Sequence, residues 1–233
     1  MNAVWEAFTA SAFFGILLTL ATFRIGQWIV KKTGIKALNP LFTCIVLTIL
    51  FLVVTGVDYE VYNKGASYIS FLLGPTTVAL AIPLYKQVQL LKKNLLLILV
   101  SVSVGALSAV LAVFLMSKLF SLQPEIFYSI MSKSVTAAIA LGITEETGGI
   151  AALTLFSITV TGMTGASCAL GACKLFKITD RMAVGLSMGT CSHAIGTSVA
   201  LEKGELEGAM SSLAIVVAGF TTVFIAPFIN YVL

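Results

Sequence analysis

The chain has 233 residues, of which 58% are hydrophobic and only 10% are charged, with a formal net charge of +4. A soluble globular domain carries about 25% charged residues, so this composition excludes a soluble protein and predicts an integral α-helical membrane protein. The small positive charge lies between apolar segments, and it therefore indicates membrane orientation instead of a nucleic-acid-binding surface.

Eight hydrophobic segments follow one another along the chain, and a helix of roughly 20 residues is long enough to cross a bilayer. The sequence therefore predicts an all-α, polytopic membrane protein. We expect a single transmembrane domain over residues 1–233, with a first structural half at 1–119 and a second at 120–233. The segments lie at residues 3–30, 40–57, 66–85, 94–119, 125–143, 150–173, 181–200 and 207–232.

Segments three and seven contain residues that disfavour a continuous helix. Segment three contains Gly74 and Pro75, and a proline inside a helix deletes a backbone hydrogen bond and clashes one turn back. Segment seven has three glycines and several hydroxyls within residues 185–197. Paired interruptions in two halves of a chain indicate a transporter site, so we expect two discontinuous helices and a site that includes Gly74, Pro75 and Thr76. The alternative is that the glycines only permit close helix packing.

Basic residues are clustered after segments one, three and six, and these clusters set the expected orientation. By the positive-inside rule, the first two clusters place the N-terminus outside the cell. The third cluster cannot share their side if all eight segments cross once. A re-entrant hairpin at 125–143 removes this conflict, and it would make segments two to four and six to eight an inverted repeat. The clusters are Arg24, Lys31, Lys32 and Lys36; Lys86, Lys92 and Lys93; and Lys174, Lys177 and Arg181.

Lys133 is the only charged residue between Glu125 and Glu145, in a stretch that is otherwise apolar or small and hydroxylated. A cation near mid-bilayer costs about 2.5–3.5 kcal/mol, so it usually faces a polar cavity or a partner. With the hydroxyls of Ser134 and Thr136, Lys133 can replace the hydration shell of a small anion. The alternative is a lysine whose aliphatic stem reaches the membrane interface.

Three other ionisable residues are candidates for coupling transport to an ion. His193 is the only histidine, and it either accepts a proton near neutral pH or packs as a hydrogen-bonded core residue. Glu145 and Glu146 either bind a proton or cation, or cap the next helix from solvent.

No catalytic or metal-binding pattern accompanies these residues. Cys44, Cys168, Cys173 and Cys191 have no zinc-ligand spacing and are expected to be small packing residues. The chain has no nucleophile–base arrangement, P-loop or dinucleotide fingerprint. We therefore expect no enzyme activity, no metal and no cofactor.

Five sequence blocks carry a resemblance to known proteins. They are Leu73-Gly-Pro-Thr-Thr-Val-Ala-Leu-Ala-Ile-Pro-Leu-Tyr-Lys86, Lys133-Ser-Val-Thr136, Gly148-Gly149, Gly189-Thr-Cys-Ser-His-Ala-Ile-Gly-Thr197 and Glu207-Gly-Ala-Met-Ser-Ser-Leu-Ala214. Over nearly its whole length, the chain resembles the LrgB/CidB family of bacterial membrane proteins. The family usually has a proline before Lys-Ser-Val-Thr and a Thr-Pro shortly after it, whereas this chain has Ser132, Ala137 and Ala138.

The resemblance implies two functions of different classes. Family members are described as antiholin-like regulators of murein hydrolase activity and autolysis that act with a small LrgA/CidA-type partner. Relatives also include a plastid glycolate/glycerate translocator, and bacterial members are linked to pyruvate uptake. The paired interruptions and the lysine favour a carrier, because a pore former needs no fixed binding site.

We therefore expect an alternating-access carrier for small 2-oxo- or 2-hydroxy-monocarboxylates in the bacterial inner membrane. Lys133 would neutralise the carboxylate, and one of the three coupling candidates would bind a proton. The lipid bilayer and the substrate are the expected partners, with an LrgA/CidA-type protein or a second copy of the chain as additional ones. The remaining substrate contacts are expected from Ser134, Thr136, Ser192, His193 and Thr197, and from the backbone at Gly74–Pro75 and Gly189–Gly196.

Overall fold

The computed structural model describes residues 8–33, 40–72, 75, 78–79 and 81–229. Within these residues the regular secondary structure consists of eleven helices and no strand, which confirms the all-α prediction. The helices are α1 (Ala12–Thr33), α2 (Pro40–Thr55), α3 (Tyr59–Phe71), α4 (Ala81–Lys86), α5 (Val88–Lys93), α6 (Leu95–Leu119), α7 (Pro124–Met131), α8 (Ala137–Thr147), α9 (Ala151–Leu175), α10 (Arg181–Lys203) and α11 (Glu205–Ile229).

Four of these helices, α1, α6, α9 and α11, are long and apolar enough to cross a membrane, and α2 is a shorter apolar helix. Large apolar side chains on them point outward, such as Leu96 and Leu175, which are both 77% exposed. An outward apolar face is stable in lipid and unstable in water. The chain is therefore a multi-pass membrane protein.

The expected segment three is not a single described helix. Its described residues belong to α3, which ends at Phe71, to short stretches at 75 and 78–79, and to α4. Gly74 and Thr76 lie outside the described residues, so the expected break at Gly74–Pro75 stays a prediction.

The chain divides into two compact units, residues 1–79 and 80–233. In the first unit, α1 packs against α2 and α3. The backbones of α1 and α3 approach so closely at Gly15 and Gly65 that a Cβ on either residue would overlap the opposite backbone. Between α1 and α2, the buried hydroxyls of Thr22 and Thr48 are 3.0 Å apart. Small residues permit this kind of close helix packing in membranes.

The second unit begins with the short helices α4 and α5, which are followed by three long helices with a helical hairpin in each of the two connections between them. The long helices are α6, α9 and α11. The first hairpin (residues 124–147) is α7, a loop at 132–136, and α8. Its return is shown by Ile150, whose N–H donates to the Ser129 hydroxyl at 2.7 Å, and by Phe127 and Ile143, which share one apolar cluster.

The second hairpin is α10 itself, which reverses at His193. His193 has φ 42° and ψ −132°, far from helical values. The halves before and after it lie side by side, because Val184 and Ala200 belong to the same buried cluster, and a Cβ on Gly196 would lie 2.5 Å from the Met188 carbonyl oxygen. We expected segment seven to be interrupted and still cross the membrane. Instead, its halves of about 15–18 Å at 1.5 Å per residue fold back on each other.

The two compact units do not coincide with the halves expected from the sequence, 1–119 and 120–233. The inverted repeat of segments two to four with segments six to eight likewise stays a prediction.

Candidate functional site

A cavity of about 970 Å³, the central cavity, lies within the second unit. Its walls come from the first part of α6, the loop of the first hairpin, the middle of α9 and the first half of α10. The lining residues are Asn94, Leu97, Ser101, Val102, Gly105, Ser108, Ala109, Lys133, Ser134, Val160, Thr161, Thr164, Gly165, Asp180, Met182, Ala183, Leu186, Ser187, Thr190 and Cys191.

Lys133 is the one cationic residue among those that line the cavity, and it lies in the loop where the first hairpin turns. Two backbone hydrogen bonds between residues three positions apart hold the loop. The Lys133 N–H donates to the Ile130 carbonyl oxygen and the Val135 N–H to the Ser132 carbonyl oxygen, both at 3.2 Å. Lys133 is half-buried, and no ion pair to it is found among the described residues. The Ser132 hydroxyl beside it is fully buried and has no hydrogen-bond partner in the described structure.

The helix α8 begins directly after this loop. Thr136 is its N-cap residue, with extended φ and ψ and no side-chain capping bond. The first backbone N–H groups of a helix have no partner inside the helix, and its N-terminus carries a partial positive charge. The loop around Lys133 therefore combines an ammonium group with the positive end of α8, an arrangement that favours anions.

The tip of the second hairpin meets the cavity through Thr190 and Cys191. The next two residues turn into the protein: Ser192 is fully buried, and the His193 side chain is only 4% exposed. The His193 Nε2 lies 3.1 Å from the Ile158 carbonyl oxygen of α9, so it donates a hydrogen bond in the tautomer with a proton on Nε2. His193 therefore anchors the hairpin tip to α9 from behind the cavity wall.

The residues predicted from the sequence divide into two groups. Lys133 and Ser134 line the cavity, whereas Thr136, Ser192, His193 and Thr197 do not. Thr197 is buried on the second half of α10, where its hydroxyl lies 2.7 Å from the Ser211 hydroxyl of α11. Outside the cavity lining, Glu145 and Glu146 are exposed at the end of α8, and Pro75 is exposed as well.

Sequence reasoning missed the contribution of α6 and α9 to the cavity. Ser101, Gly105 and Ser108 line it from α6, and Thr161 and Thr164 line it from α9. The signal was present as small and hydroxylated residues three or four positions apart in otherwise apolar spans, which places them on one helix face.

The base of the second hairpin is held by an ion pair. The Arg181 guanidinium donates to both carboxylate oxygens of Glu207 on α11, at 2.9 and 2.7 Å. Glu207 is only 2% exposed, and a bidentate pair of this kind satisfies a buried carboxylate. A neighbouring pair, Lys86 with Glu205 at 3.0 Å, is exposed.

Comparison with known proteins identifies the family. The LrgB-like family model matches residues 19–232. The chain belongs to the LrgB-like family. It is 41% identical over 222 residues to the antiholin-like protein LrgB of Bacillus subtilis strain 168, covering 94% of this chain and 95% of that relative. The same identity extends over 224 residues to the antiholin-like proteins LrgB of Bacillus cereus strain B4264 and Bacillus anthracis strain CDC 684, covering 95% of this chain and 96% of each relative.

No solved structure matches the chain. The bacterial LrgB relatives and the four long apolar helices agree on a multi-pass membrane protein.

Proposed function

We propose that this LrgB-like protein is a membrane carrier for small 2-oxo- and 2-hydroxy-monocarboxylates, and that the central cavity holds the substrate. The observation that carries the proposal is the position of Lys133, a cation in a cavity wall at the tip of a hairpin inside an apolar protein. An ionisable residue at membrane depth is costly and therefore marks a functional site.

The substrate carboxylate is proposed to bind at the Lys133 ammonium. Among the described residues, no acidic side chain forms an ion pair with Lys133. A substrate carboxylate would supply this missing negative charge. The N-terminus of α8 and the Ser134 hydroxyl lie in the same loop and provide directional donors. The Thr161, Thr164 and Thr190 hydroxyls on the facing walls are suited to the 2-oxo or 2-hydroxy oxygen. A cavity of about 970 Å³ is within the usual size of small-molecule sites, about 300–1,000 Å³.

Both hairpins are proposed to be re-entrant, entering the bilayer from opposite sides. The eight residues of α7 and the eleven of α8 extend about 12 and 16 Å at 1.5 Å per residue, whereas the hydrocarbon core is about 30 Å thick. Asn94 and Asp180 line the cavity at the end formed by the start of α6 and the end of α9, and Lys92, Lys93 and Lys174 are close to them in the sequence. The positive-inside rule then places this end in the cytoplasm, in agreement with an N-terminus outside the cell.

The three candidate coupling residues lie outside the lining of the central cavity. His193 is buried behind the hairpin tip, and Glu145 and Glu146 are exposed at the far end of α8. Proton binding at any of the three would have to act through movement of a hairpin. Ser192, Thr197 and Thr136 do not line the cavity either. We therefore propose that they support the hairpin tips instead of contacting the substrate.

Regulation of murein hydrolases and autolysis is the second candidate function, acting with an LrgA/CidA-type partner. The relatives are named antiholin-like proteins, and those names favour this function over a carrier. The two functions are compatible if transport of a metabolic acid alters autolysis indirectly. A homodimer is compatible with both.

Uptake of radiolabelled pyruvate or glycolate into liposomes with the purified protein alone tests the carrier. We expect saturable uptake that is lost in Lys133→Met and retained in Lys118→Met, because Lys118 is exposed at the end of α6 and lies over the Phe114 ring outside the cavity. Size-limited leakage of unrelated dyes that is indifferent to Lys133 would contradict the carrier and favour a pore. Uptake that requires an added LrgA/CidA-type protein would favour a shared function.

A further inference from the structure

The helices α6 and α9 share one pattern of burial. Each has 25 residues, and each buried residue of α9 lies 56 positions after a buried residue of α6, as Thr154 does after Ile98. The other pairs are Val102 with Ile158, Ala106 with Gly162, Val110 with Ala166, Val113 with Ala169, and Ser117 with Cys173. At the same spacing, identical residues occur at Leu97 and Leu153, Leu99 and Leu155, Ser101 and Ser157, Val104 and Val160, Lys118 and Lys174, and Leu119 and Leu175.

The correspondence continues into the two hairpins. The linker before the second hairpin is one residue longer, 176–180 against 120–123, so the spacing becomes 57. At this spacing, the buried Phe127 corresponds to the buried Val184, and the buried Met131 to the buried Met188. Residues 95–147 and 151–203 therefore form two copies of one arrangement, a long helix followed by a helical hairpin.

The two copies have opposite orientations. Leu186, near the start of α10, shares a buried cluster with Ile98 at the start of α6, and Val184, two residues earlier, shares one with Cys173 at the end of α9. The start of α6 and the end of α9 therefore lie together, so the two helices are antiparallel. Two such copies in opposite orientation form an inverted repeat, over ranges that differ from those expected from the charge clusters.

The cavity follows this symmetry only in its inner part. Both members of several corresponding pairs line it: Gly105 and Thr161, Ser108 and Thr164, Ala109 and Gly165, Lys133 and Thr190, and Ser134 and Cys191. Nearer the start of α6 and the start of α10 the pairing fails. Ser101 and Ser187 line the cavity, whereas their counterparts Ser157 and Ile130 do not.

We propose that the protein has a second access pathway on the opposite side of the membrane. It is lined by the counterparts of those residues, such as Ser101 and Ser187, that line the cavity while their counterparts do not. Each inverted copy adopts the conformation that the other copy now has. The pathway through the described cavity therefore closes as the second one opens. The inner residues serve both pathways and hold the substrate throughout. The second pathway passes Leu153 and Ser157 on α9 and Ile126 and Ile130 on the first hairpin.

The serine pair at 101 and 157 provides a matched test of this proposal, which rests on the proposed function. Both hydroxyls donate to the carbonyl three residues earlier, from Ser101 to Ile98 O at 3.2 Å and from Ser157 to Thr154 O at 2.8 Å. Ser101→Cys and Ser157→Cys are therefore equally small changes at equivalent positions. Only Ser101 lines the described cavity.

The experiment labels each variant in sealed vesicles of known orientation with a membrane-impermeant anionic thiol reagent, read by site-resolved mass spectrometry. Cys191, which lines the cavity, and Cys168, which is exposed on α9 outside it, are internal controls. We expect Ser101→Cys to react from the side of Lys92 and Ser157→Cys to react from the opposite side. A minor conformation is commonly populated at about 0.1–10%, so the Ser157→Cys reaction should be about 10- to 1,000-fold slower. In the double variant, prior modification at position 101 should suppress labelling at position 157.

Two results would overturn the proposal: a Ser157→Cys variant that is folded but inert from both sides, or one that reacts from the same side as Ser101→Cys. Leu153→Cys repeats the measurement one turn away if Ser157→Cys does not fold. Labelling needs no transported substrate, so its outcome is independent of uptake. Opposite-side labelling without pyruvate uptake would reject the proposed substrate, whereas uptake with an inert position 157 would reject the second pathway alone.

Discussion

Gly162→Ala is expected to destabilise the protein by displacing the tip of the second hairpin. A Cβ on Gly162 would lie 2.7 Å from His193 Cε1, 2.9 Å from His193 Nε2 and 2.7 Å from Ile195 Cδ1. The ring cannot withdraw without losing the hydrogen bond between Nε2 and the Ile158 carbonyl oxygen. His193 has φ 42°, a conformation that non-glycine residues rarely adopt and that the contacts around the tip must therefore hold in place.

The expected cost combines two effects. Overpacking a well-packed interior costs about 1–3 kcal/mol, and loss of a buried hydrogen bond adds about 1 kcal/mol. The sum of about 2–4 kcal/mol should lower the melting temperature in detergent by roughly 4–16 °C, at about 2–4 °C per kcal/mol for a chain of this size.

Gly171→Ala is the matched control because Gly171 lies on the same helix and a Cβ there would meet nothing within 4 Å. Alanine is favoured over glycine inside a helix by about 0.5–1 kcal/mol, so this variant should melt at the same temperature or slightly higher. Both variants are compared in one detergent by thermal unfolding. If Gly162→Ala melts with Gly171→Ala, the packing of His193 against α9 does not hold the hairpin tip.

Two further predictions concern charged and titratable groups. Arg181→Met should lower the melting temperature, because it leaves the buried Glu207 carboxylate without its partner. Lys86→Met, which removes only the exposed pair, should cost at most about 1 kcal/mol, and equal melting temperatures for the two variants would contradict a role for the Arg181–Glu207 pair. His193→Gln should reduce uptake without changing its dependence on pH, because His193 does not line the cavity, and a flattened pH profile would instead identify it as the proton-coupling residue.

The sequence by itself determined the class of protein and the position of its central cation. Hydrophobicity is a local property, so the long helices α6, α9 and α11 begin and end within a few residues of segments 94–119, 150–173 and 207–232. The cost of a charge in lipid singled out Lys133, which does line the cavity. The charge clusters also predicted a hairpin at 125–143, and the chain returns there.

The tertiary structure decided which segments fold back and which side chains reach the cavity. Apolar residues are equally suited to a helix that crosses and to one that reverses. The reversal at His193 therefore follows only from packing between residues far apart in the sequence, such as Val184 and Ala200, which belong to one buried cluster. The same contacts turn His193 away from the cavity and bring the α6 and α9 hydroxyls into it. The spacing of 56 between α6 and α9 was present in the sequence. The repeat became visible only through burial, because the two helices bury the same positions although few of their residues are identical.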